Sequence, residues 1–132
     1  MIYYTAWDKI EDIGELLKEW TGKELDTSYV LWSSFFVVAR EKETNKFVGV
    51  VQFIILDDPF WNRRYGLIEN VYVRKGYRGC GIGKGLMKFT EQEARLFGCQ
   101  FIKLTSGFDK KEARMMYRDL GYKEGSSFRK NL

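Results

Sequence analysis

One short segment combines the residue types of an anion-binding turn. Residues 76–85 contain five glycines, and the stretch from Arg78 to Gly85 reads R-G-C-G-I-G-K-G. Glycines let a backbone approach a ligand closely, and the start of a following helix offers unpaired N–H groups and the positive end of a dipole. Arg74, Lys75 and Lys84 add positive charge around the turn. The pattern therefore predicts a site for a phosphate or pyrophosphate.

Two well-known phosphate loops do not match this segment. A Walker A motif needs a glycine where this chain has Arg78 and a Ser or Thr where it has Gly85. The dinucleotide fingerprint G-x-G-x-x-G, started at Gly79 or Gly81, ends on Lys84 or Leu86 instead of glycine. A P-loop NTPase and a nicotinamide dehydrogenase are therefore not expected. A turn that serves only tight helix packing is the alternative for these glycines.

The amino-acid composition excludes several other kinds of catalytic and metal site. The chain has no histidine, so nucleophilic Ser/His/Asp or Cys/His machinery and His-based metal sites are excluded. Two cysteines, Cys80 and Cys99, form neither a disulfide framework nor a four-ligand zinc site, so we predict no metal and a reduced, cytoplasmic setting. A net charge of +4 suits an anionic small ligand as well as nucleic acid. The sequence shows neither a signal peptide nor a membrane span, so no membrane partner is expected.

The elements that position the glycine turn follow from hydrophobic periodicity. Asp8 and Glu11 resemble a capping box for a first helix that ends at Gly22. Two β-rich runs, 35–40 and 47–56, flank a polar turn and predict an antiparallel hairpin, with the second run broken by Asp57 and Asp58. A strand at 67–73, the glycine turn, a helix to about residue 97 and a strand at 99–105 predict a β-α-β crossover with parallel strands.

A last helix and strand complete the predicted architecture. Asp109 and Glu112 can cap the helix, Gly121 ends it, and a strand is expected at 122–129. The 132 residues, 45% of them hydrophobic, are enough for one core, and no linker or repeat divides them. We therefore predict a single α/β (α+β) domain over residues 1–132. It has a mixed central sheet with an antiparallel N-terminal hairpin, the crossover and a C-terminal helix and strand.

Two motifs in this order resemble those of the GCN5-related N-acetyltransferases (GNAT). The residues R-x-x-G-x-G, Arg78 to Gly83, follow a strand ending in V-Y-V and are similar to the family's coenzyme A loop. The later M-Y-R-D-L-G-Y, Met116 to Tyr122, is similar to a second family pattern, a Tyr followed by three residues, a Gly and an aromatic. The resemblance covers the element order of nearly the whole chain. It implies a GNAT-like fold and an acetyl-CoA-dependent N-acetyltransferase acting on a primary amine of a small molecule or a peptide.

The resemblance also implies how acetyl-CoA binds. Backbone groups near Val71 and Val73 would pair with the pantetheine arm, and the loop would hold the pyrophosphate. The loop residues are Arg78, Gly79, Cys80, Gly81, Ile82, Gly83 and Lys84. The Cys80 side chain is expected to fill space in the loop and not to act as a nucleophile. Lys110 stands where many relatives carry an asparagine that contacts the cofactor, so that contact is not expected here.

Direct transfer through a tetrahedral intermediate needs two proton movements, because the amine must lose a proton and the departing thiolate gains one. Tyr117 occupies the position of the family's tyrosine and is the candidate general acid; the alternative is a purely structural residue on an apolar helix face. Glu69 is the candidate base. In a regular strand it shares a face with Leu67, Val71 and Val73, whereas a bulge, common in the family, would disturb that alternation. Ordered water is the alternative base.

The acceptor side is expected at residues 20–34 and 57–65, where relatives vary most. Trp32, Phe60, Trp61 and Tyr65 could hold an apolar or cationic amine, and Asp57 or Asp58 could attract its ammonium group. An exposed turn or a homodimer contact is the alternative for these residues. Two other functions stay open: a non-catalytic acyl-CoA-binding or sensing domain and, less favoured, a basic nucleic-acid-binding module.

Overall fold

The computed structural model describes residues 1–26, 34–105, 111–125 and 128–132. They contain one five-stranded sheet in the order β1-β2-β3-β4-β5. The strands are β1 (Ile2–Trp7), β2 (Ser34–Glu41), β3 (Phe47–Asp58), β4 (Arg63–Val73) and β5 (Phe101–Leu104). The helices are α1 (Gly14–Thr21), which follows a 3-10 turn at Ile10–Ile13, α2 (Ile82–Leu96) and α3 (Lys111–Asp119).

The sheet is mixed, as the crossover predicted. Neighbouring strands from β1 to β4 are antiparallel, whereas β5 runs parallel to β4 after the α2 connection. Helix α2 covers one face, where its Leu86 and Met87 are fully buried against the strands. The 3-10 turn and helix α1 cover part of the other face through Ile13 and Leu16, respectively. The predicted α/β class, hairpin and crossover are therefore confirmed.

The N-terminus differs from the prediction. Residues 2–7, for which no element is predicted from the sequence, form an edge strand that pairs with β2. The Asp8 capping box is wrong: no side chain caps the 3-10 turn or α1, and Asp12 instead accepts a hydrogen bond from Trp7 Nε1 at 3.2 Å. Gly22 ends α1 as predicted, with φ at 73° in the left-handed region.

The β3–β4 hairpin is longer than predicted. Asp57 and Asp58 remain within β3, and the turn occupies only residues 59–62. Cross-strand ion pairs hold both aspartates in the ladder, since Arg64 Nε lies 2.6 Å from Asp57 Oδ1 and Arg63 Nε lies 3.0 Å from Asp58 Oδ2. The strand-breaking tendency of aspartate is overcome by these cross-strand partners.

The chain after α3 does not form the predicted strand at 122–129 within the described residues 122–125 and 128–129. Glu124 instead pairs with Arg114 at 3.2 Å and with Arg118, which ties this segment to α3. Gly121 ends the helix as predicted, with φ at 89°. The expected Asp109 cap and Lys110 lie outside the described residues. No helix in the described ranges is both long and apolar enough to cross a bilayer.

Candidate active site

A β-bulge at Glu69 shapes the centre of the sheet. In the β3–β4 ladder, Gln52 pairs with Asn70 and the next β3 residue, Phe53, pairs with Ile68, so Glu69 is the extra residue on β4. Ile68 and Val71 consequently both face α2. The strand is therefore not regular at Glu69, and the shared face expected for a regular strand does not apply, because the bulge reverses the alternation between Leu67 and Val71.

Beyond the bulge, β4 has an open edge. Strand β5 pairs only with residues 65–68 of β4, so among the described residues nothing pairs with the β5-facing edge of residues 69–73. On the other edge, the Arg74 N–H donates to the Val48 carbonyl at 2.8 Å. Hydrogen-bonded pairs alternate along an antiparallel ladder. The backbone groups of Val71 and Val73 therefore face away from β3 and into the opening.

One of these backbone groups is already engaged. Arg78 Nε donates a hydrogen bond to the Val73 carbonyl at 2.7 Å. The N–H groups of Val71 and Val73 and the Val71 carbonyl remain directed into the opening. The two valines predicted to contact an extended ligand therefore lie on the open edge, with three of their four backbone groups available.

The glycine loop connects this edge to the start of α2. Gly76, Gly79 and Gly81 have φ values of 86°, 79° and 89°, which L-residues with a Cβ rarely adopt. The first intrahelical bond runs from the Gly85 N–H to the Gly81 carbonyl at 3.0 Å, and no side chain caps the helix. The N–H groups of Ile82, Gly83 and Lys84 therefore lie ahead of that bond without helical partners, at the positive end of the helix dipole.

The side chains in and around the loop make different contacts. The Ile82 side chain is buried in the core, so only its backbone faces the loop. Cys80 Sγ donates to the Tyr77 carbonyl at 2.9 Å, which agrees with a structural role. Lys84 Nζ lies 3.6 Å from Asp119 Oδ2, and Arg74 Nε lies 2.8 Å from Glu19 Oε2. Among the described residues no carboxylate pairs with Lys75 or Arg78, which leaves these two cations for an anion.

Glycines inside α2 let its first turns lie close to two neighbouring elements. A Cβ at Gly83 would lie 3.0 Å from Met116 Sδ of α3, and a Cβ at Gly85 would overlap the Tyr4 hydroxyl of β1. The sequence alone gave no partner for either glycine. The Gly83 position, which contacts Met116 and lies 4.0 Å from Val73 Cγ2, places α3 beside the loop and the end of β4, whereas the Gly85 position contacts β1.

Tyr117 lies in the apolar cluster that also contains Val71, Val73 and Ile82. Burial raises the pKa of its phenol above the ordinary value, so the hydroxyl is protonated at neutral pH. No described residue forms a hydrogen bond with this hydroxyl, whereas the neighbouring Tyr122 hydroxyl donates to Glu91 Oε2 at 2.9 Å. Tyr117 therefore lies on the α2 side of the sheet beside Val71 and Val73, and its hydroxyl has no hydrogen-bond partner among the described residues.

Glu69 lies at the bulge where the opening begins, and its side chain is exposed. No described residue forms an ion pair with its carboxylate. Beside it, Asn70 Nδ2 donates to Gln52 Oε1 at 2.8 Å. This amide pair was not predicted, although Gln52 is the one polar residue that interrupts an otherwise apolar run in β3.

The residues predicted for the acceptor are only partly assembled. Asp57 and Asp58 are occupied by Arg64 and Arg63, and the hydrogen bond from Arg64 lowers the pKa of Asp57. They are therefore not free to attract an ammonium group. Phe60 and Trp61 are exposed at the hairpin tip, and Trp20 stacks on Tyr72 with ring centroids 5.1 Å apart. Trp32 lies outside the described residues.

The sequence profile of the acetyltransferase (GNAT) family matches residues 4–122. The chain belongs to the GNAT acetyltransferase family. It is 32% identical over 96 residues to human N-acetyltransferase 8, a match that covers 72% of this chain and 41% of that protein. This chain therefore corresponds to less than half the length of that relative. The open strand edge and glycine loop are thus features of a GNAT chain.

Solved structures show the same fold. A ribosomal-protein-alanine N-acetyltransferase from Brucella melitensis biovar Abortus 2308 superposes with a TM-score of 0.81 at 19% identity, covering 100% of both chains. An aminoglycoside acetyltransferase from an uncultured soil metagenomic sample gives a TM-score of 0.84 at 16% identity, covering 100% of this chain and 98% of that one. At such identities these likenesses support the GNAT fold and do not assign a substrate.

Proposed function

We propose that this GNAT domain, residues 1–132, is an N-acetyltransferase that transfers the acetyl group of acetyl-CoA directly to a primary amine. The observation that carries the proposal is the open edge of β4, which leads without a break into the glycine loop and the uncapped start of α2. An extended amide chain can pair with the first feature, and a pyrophosphate can bind the second. A turn that serves only tight helix packing would not need to lie directly after an open strand edge.

The residues present fit coenzyme A. The Val71 N–H and carbonyl and the Val73 N–H would pair with the pantetheine amides, while the Val73 carbonyl stays with Arg78. The backbone from Gly79 to Lys84 would hold the pyrophosphate, supported by the charges of Arg78 and Lys75. When bound, acetyl-CoA supplies the activated thioester. The chain's own residues orient it along β4 and provide the proton transfers.

Tyr117 is the proposed general acid. Its raised pKa keeps the phenol protonated at neutral pH, and it lies in the same apolar cluster as Val71. Such a group can give its proton to a departing thiolate, whose unperturbed pKa is about 8.5. The phenolate formed can regain a proton from solvent, so no covalent enzyme intermediate is needed.

Glu69 is the proposed base for the amine. The bulge places it at the start of the opening, and its exposed carboxylate has no ion-pair partner among the described residues. An alkyl ammonium must lose a proton before it can attack, and a carboxylate can take that proton directly or through one water molecule. The hydrogen bond between the Asn70 and Gln52 side chains links β4 to β3 beside Glu69.

The acceptor is proposed to be a small-molecule or peptide amine. The similar solved structures include proteins described as acting on an aminoglycoside and on a ribosomal-protein alanine, and both contain amines. The cytoplasmic location and the homodimer stay predictions. Release of free thiol from acetyl-CoA, measured across a panel of amines, tests the proposal. Acceptor-dependent release supports it, and CoA binding without release from any amine favours the non-catalytic acyl-CoA-binding alternative.

A further inference from the structure

Two aromatic rings form a platform where β4 and β5 pair. Tyr65 and Phe101 face each other across the parallel strands, with ring centroids 4.9 Å apart and planes inclined by 6°. The neighbouring Gly66 points toward α2, because a Cβ built on it would lie 4.0 Å from Ala94. By alternation, Tyr65 and Leu67 point to the opposite face of the sheet. The platform therefore lies on the face that α2 does not cover.

Lys103 lies on this platform at the vertex of the opening. It pairs with Leu67, and the following pair, Ile68 with Leu104, is the last before β4 and β5 separate. Its Nζ is 5.0 Å from the centre of the Tyr65 ring. Glu69, the proposed base, is the next β4 residue after that last pair. The backbone of Lys103 is thus one ladder pair from the start of the opening, and its ammonium group lies over the Tyr65 ring.

The two cations on the platform differ in their ionic partners. Arg63 lies 5.1 Å from the centre of the Phe101 ring and is neutralised by Asp58 at 3.0 Å. Lys103 is exposed, and no carboxylate of the described residues lies within ion-pair distance of its Nζ. A cation–π contact fixes the position of an ammonium group and leaves its N–H donors unused. Lys103 can therefore bind an anion.

An acceptor has to reach the opening from this same face. The opposite face is filled by α2 and by α3, whose Met116 contacts Gly83 and whose Tyr117 packs in the core cluster. A molecule that enters from this face has Tyr65, Phe101 and Lys103 next to the opening, because these residues belong to the ladder pairs that precede it.

We propose that the acceptor is an amine that also carries a carboxylate, as a free amino acid does, and that Lys103 binds this carboxylate while Tyr65 and Phe101 pack against the acceptor's apolar part. This inference rests on the proposed function and assigns its substrate class. Lys103 is a specificity residue and takes no part in the proton transfers.

Two reaction products that differ in one group test the inference without relying on turnover. N-acetylphenylalanine and N-acetylphenylalaninamide have the same uncharged acetylated nitrogen, and only the first has a carboxylate. Each is titrated by calorimetry into protein saturated with CoA. The acid should bind at least about tenfold more tightly than the amide, since a charge-assisted hydrogen bond is lost with the carboxylate. Lys103→Gln should remove this difference, while Lys9→Gln, the same change at an exposed lysine before α1, should preserve it.

Equal affinity for acid and amide, or binding of neither, would overturn the inference. The same conclusion would follow if Lys103→Gln weakened both compounds to the same extent, or lowered kcat equally for amines with and without a carboxylate. A preceding CoA titration separates the two proposals. Absence of CoA binding rejects the acetyltransferase function and this inference with it, whereas CoA binding without discrimination rejects the substrate class alone.

Discussion

The Arg78 guanidinium binds the main-chain carbonyl of Val73 through Nε, at a distance of 2.7 Å. The same guanidinium lies 5.3 Å from the centre of the Tyr72 ring. The first residue of R-x-x-G-x-G is therefore tied to the last residue of β4. This contact joins the two halves of the candidate cofactor site, the open strand edge and the glycine loop.

Replacing Arg78 with Gln should weaken CoA binding while the domain stays folded. The substitution removes the charge and the hydrogen bond to Val73, and contacts to charged groups contribute about 1.5–3 kcal/mol, which corresponds to roughly a tenfold to hundredfold loss of affinity. Calorimetry with CoA measures the change, and thermal unfolding monitors the fold. Lys42→Gln, the same loss of charge in the β2–β3 turn, should leave the affinity unchanged. Equal affinity of Arg78→Gln and the unmodified protein would exclude Arg78 from the site.

Replacing Tyr117 with Phe should reduce turnover and leave CoA affinity intact. The ring that fills the core is kept, whereas the proton donor is lost, and general acid catalysis contributes about 100-fold or more to rate. Thiol release at saturating acceptor measures kcat. Tyr122→Phe is the matched control, because its hydroxyl is occupied by Glu91. Unchanged turnover of Tyr117→Phe would remove Tyr117 from the mechanism and leave it a structural role.

Replacing Glu69 with Gln should lower kcat/KM by about tenfold or more at neutral pH, because the amide cannot accept the proton of the acceptor ammonium. The deficit should shrink as the pH approaches the pKa of the acceptor amine, since the amine is then already deprotonated. A pH profile of kcat/KM records both effects. Glu11→Gln, at an exposed carboxylate of the 3-10 turn, provides the control. A pH-independent deficit would show that Glu69 is not the base.

The free energy of unfolding should fall as the pH rises above about 10, the pKa of tyrosine in an unfolded chain. Burial and the hydrogen bond to Glu91 raise the pKa of Tyr122 in the folded state. Its stabilising contribution is therefore fully present below the unfolded pKa and is lost as the pH rises toward the folded one. Urea unfolding at several alkaline pH values should give a shallower decline for Tyr122→Phe. An identical decline would mean that Tyr122 titrates alike in both states.

Much of the fold follows from local sequence patterns, whereas its deviations depend on contacts between distant residues. The crossover is predictable because Gly81 and Gly98 flank an amphipathic helix, and both adopt the left-handed backbone that the pattern requires. The extension of β3 through Asp58 is not predictable from local sequence, because it depends on ion pairs with arginines on the opposite strand of the hairpin. Strand β1 is an edge whose existence depends on pairing with β2, far away in the sequence.

In the candidate site, too, some residues are identified by local motifs and others only by contacts in the folded structure. The glycine loop and Tyr117 are identified by spacing, because each belongs to a short motif. The bulge at Glu69 is visible only in the β3–β4 register, and it reverses the face expected for Leu67 relative to Val71. Lys103 does not belong to any recognisable sequence motif. Its place beside Tyr65 arises from the parallel register of β5, which a single strand does not specify.

Coenzyme A binding at the glycine loop underlies both the proposed activity and the proposed substrate class. Calorimetric titration with acetyl-CoA, with CoA, ATP and NADH as comparisons, measures it. Both CoA species should bind selectively and Gly81→Trp should abolish binding, because a side chain at φ 89° strains the loop and fills its open space. Gly98→Trp is the matched control, since this glycine at the other end of α2 has φ 81° and equally open surroundings. Binding unaffected by Gly81→Trp in a folded protein, or no binding at millimolar acetyl-CoA, would show that the glycine loop is not a coenzyme A site.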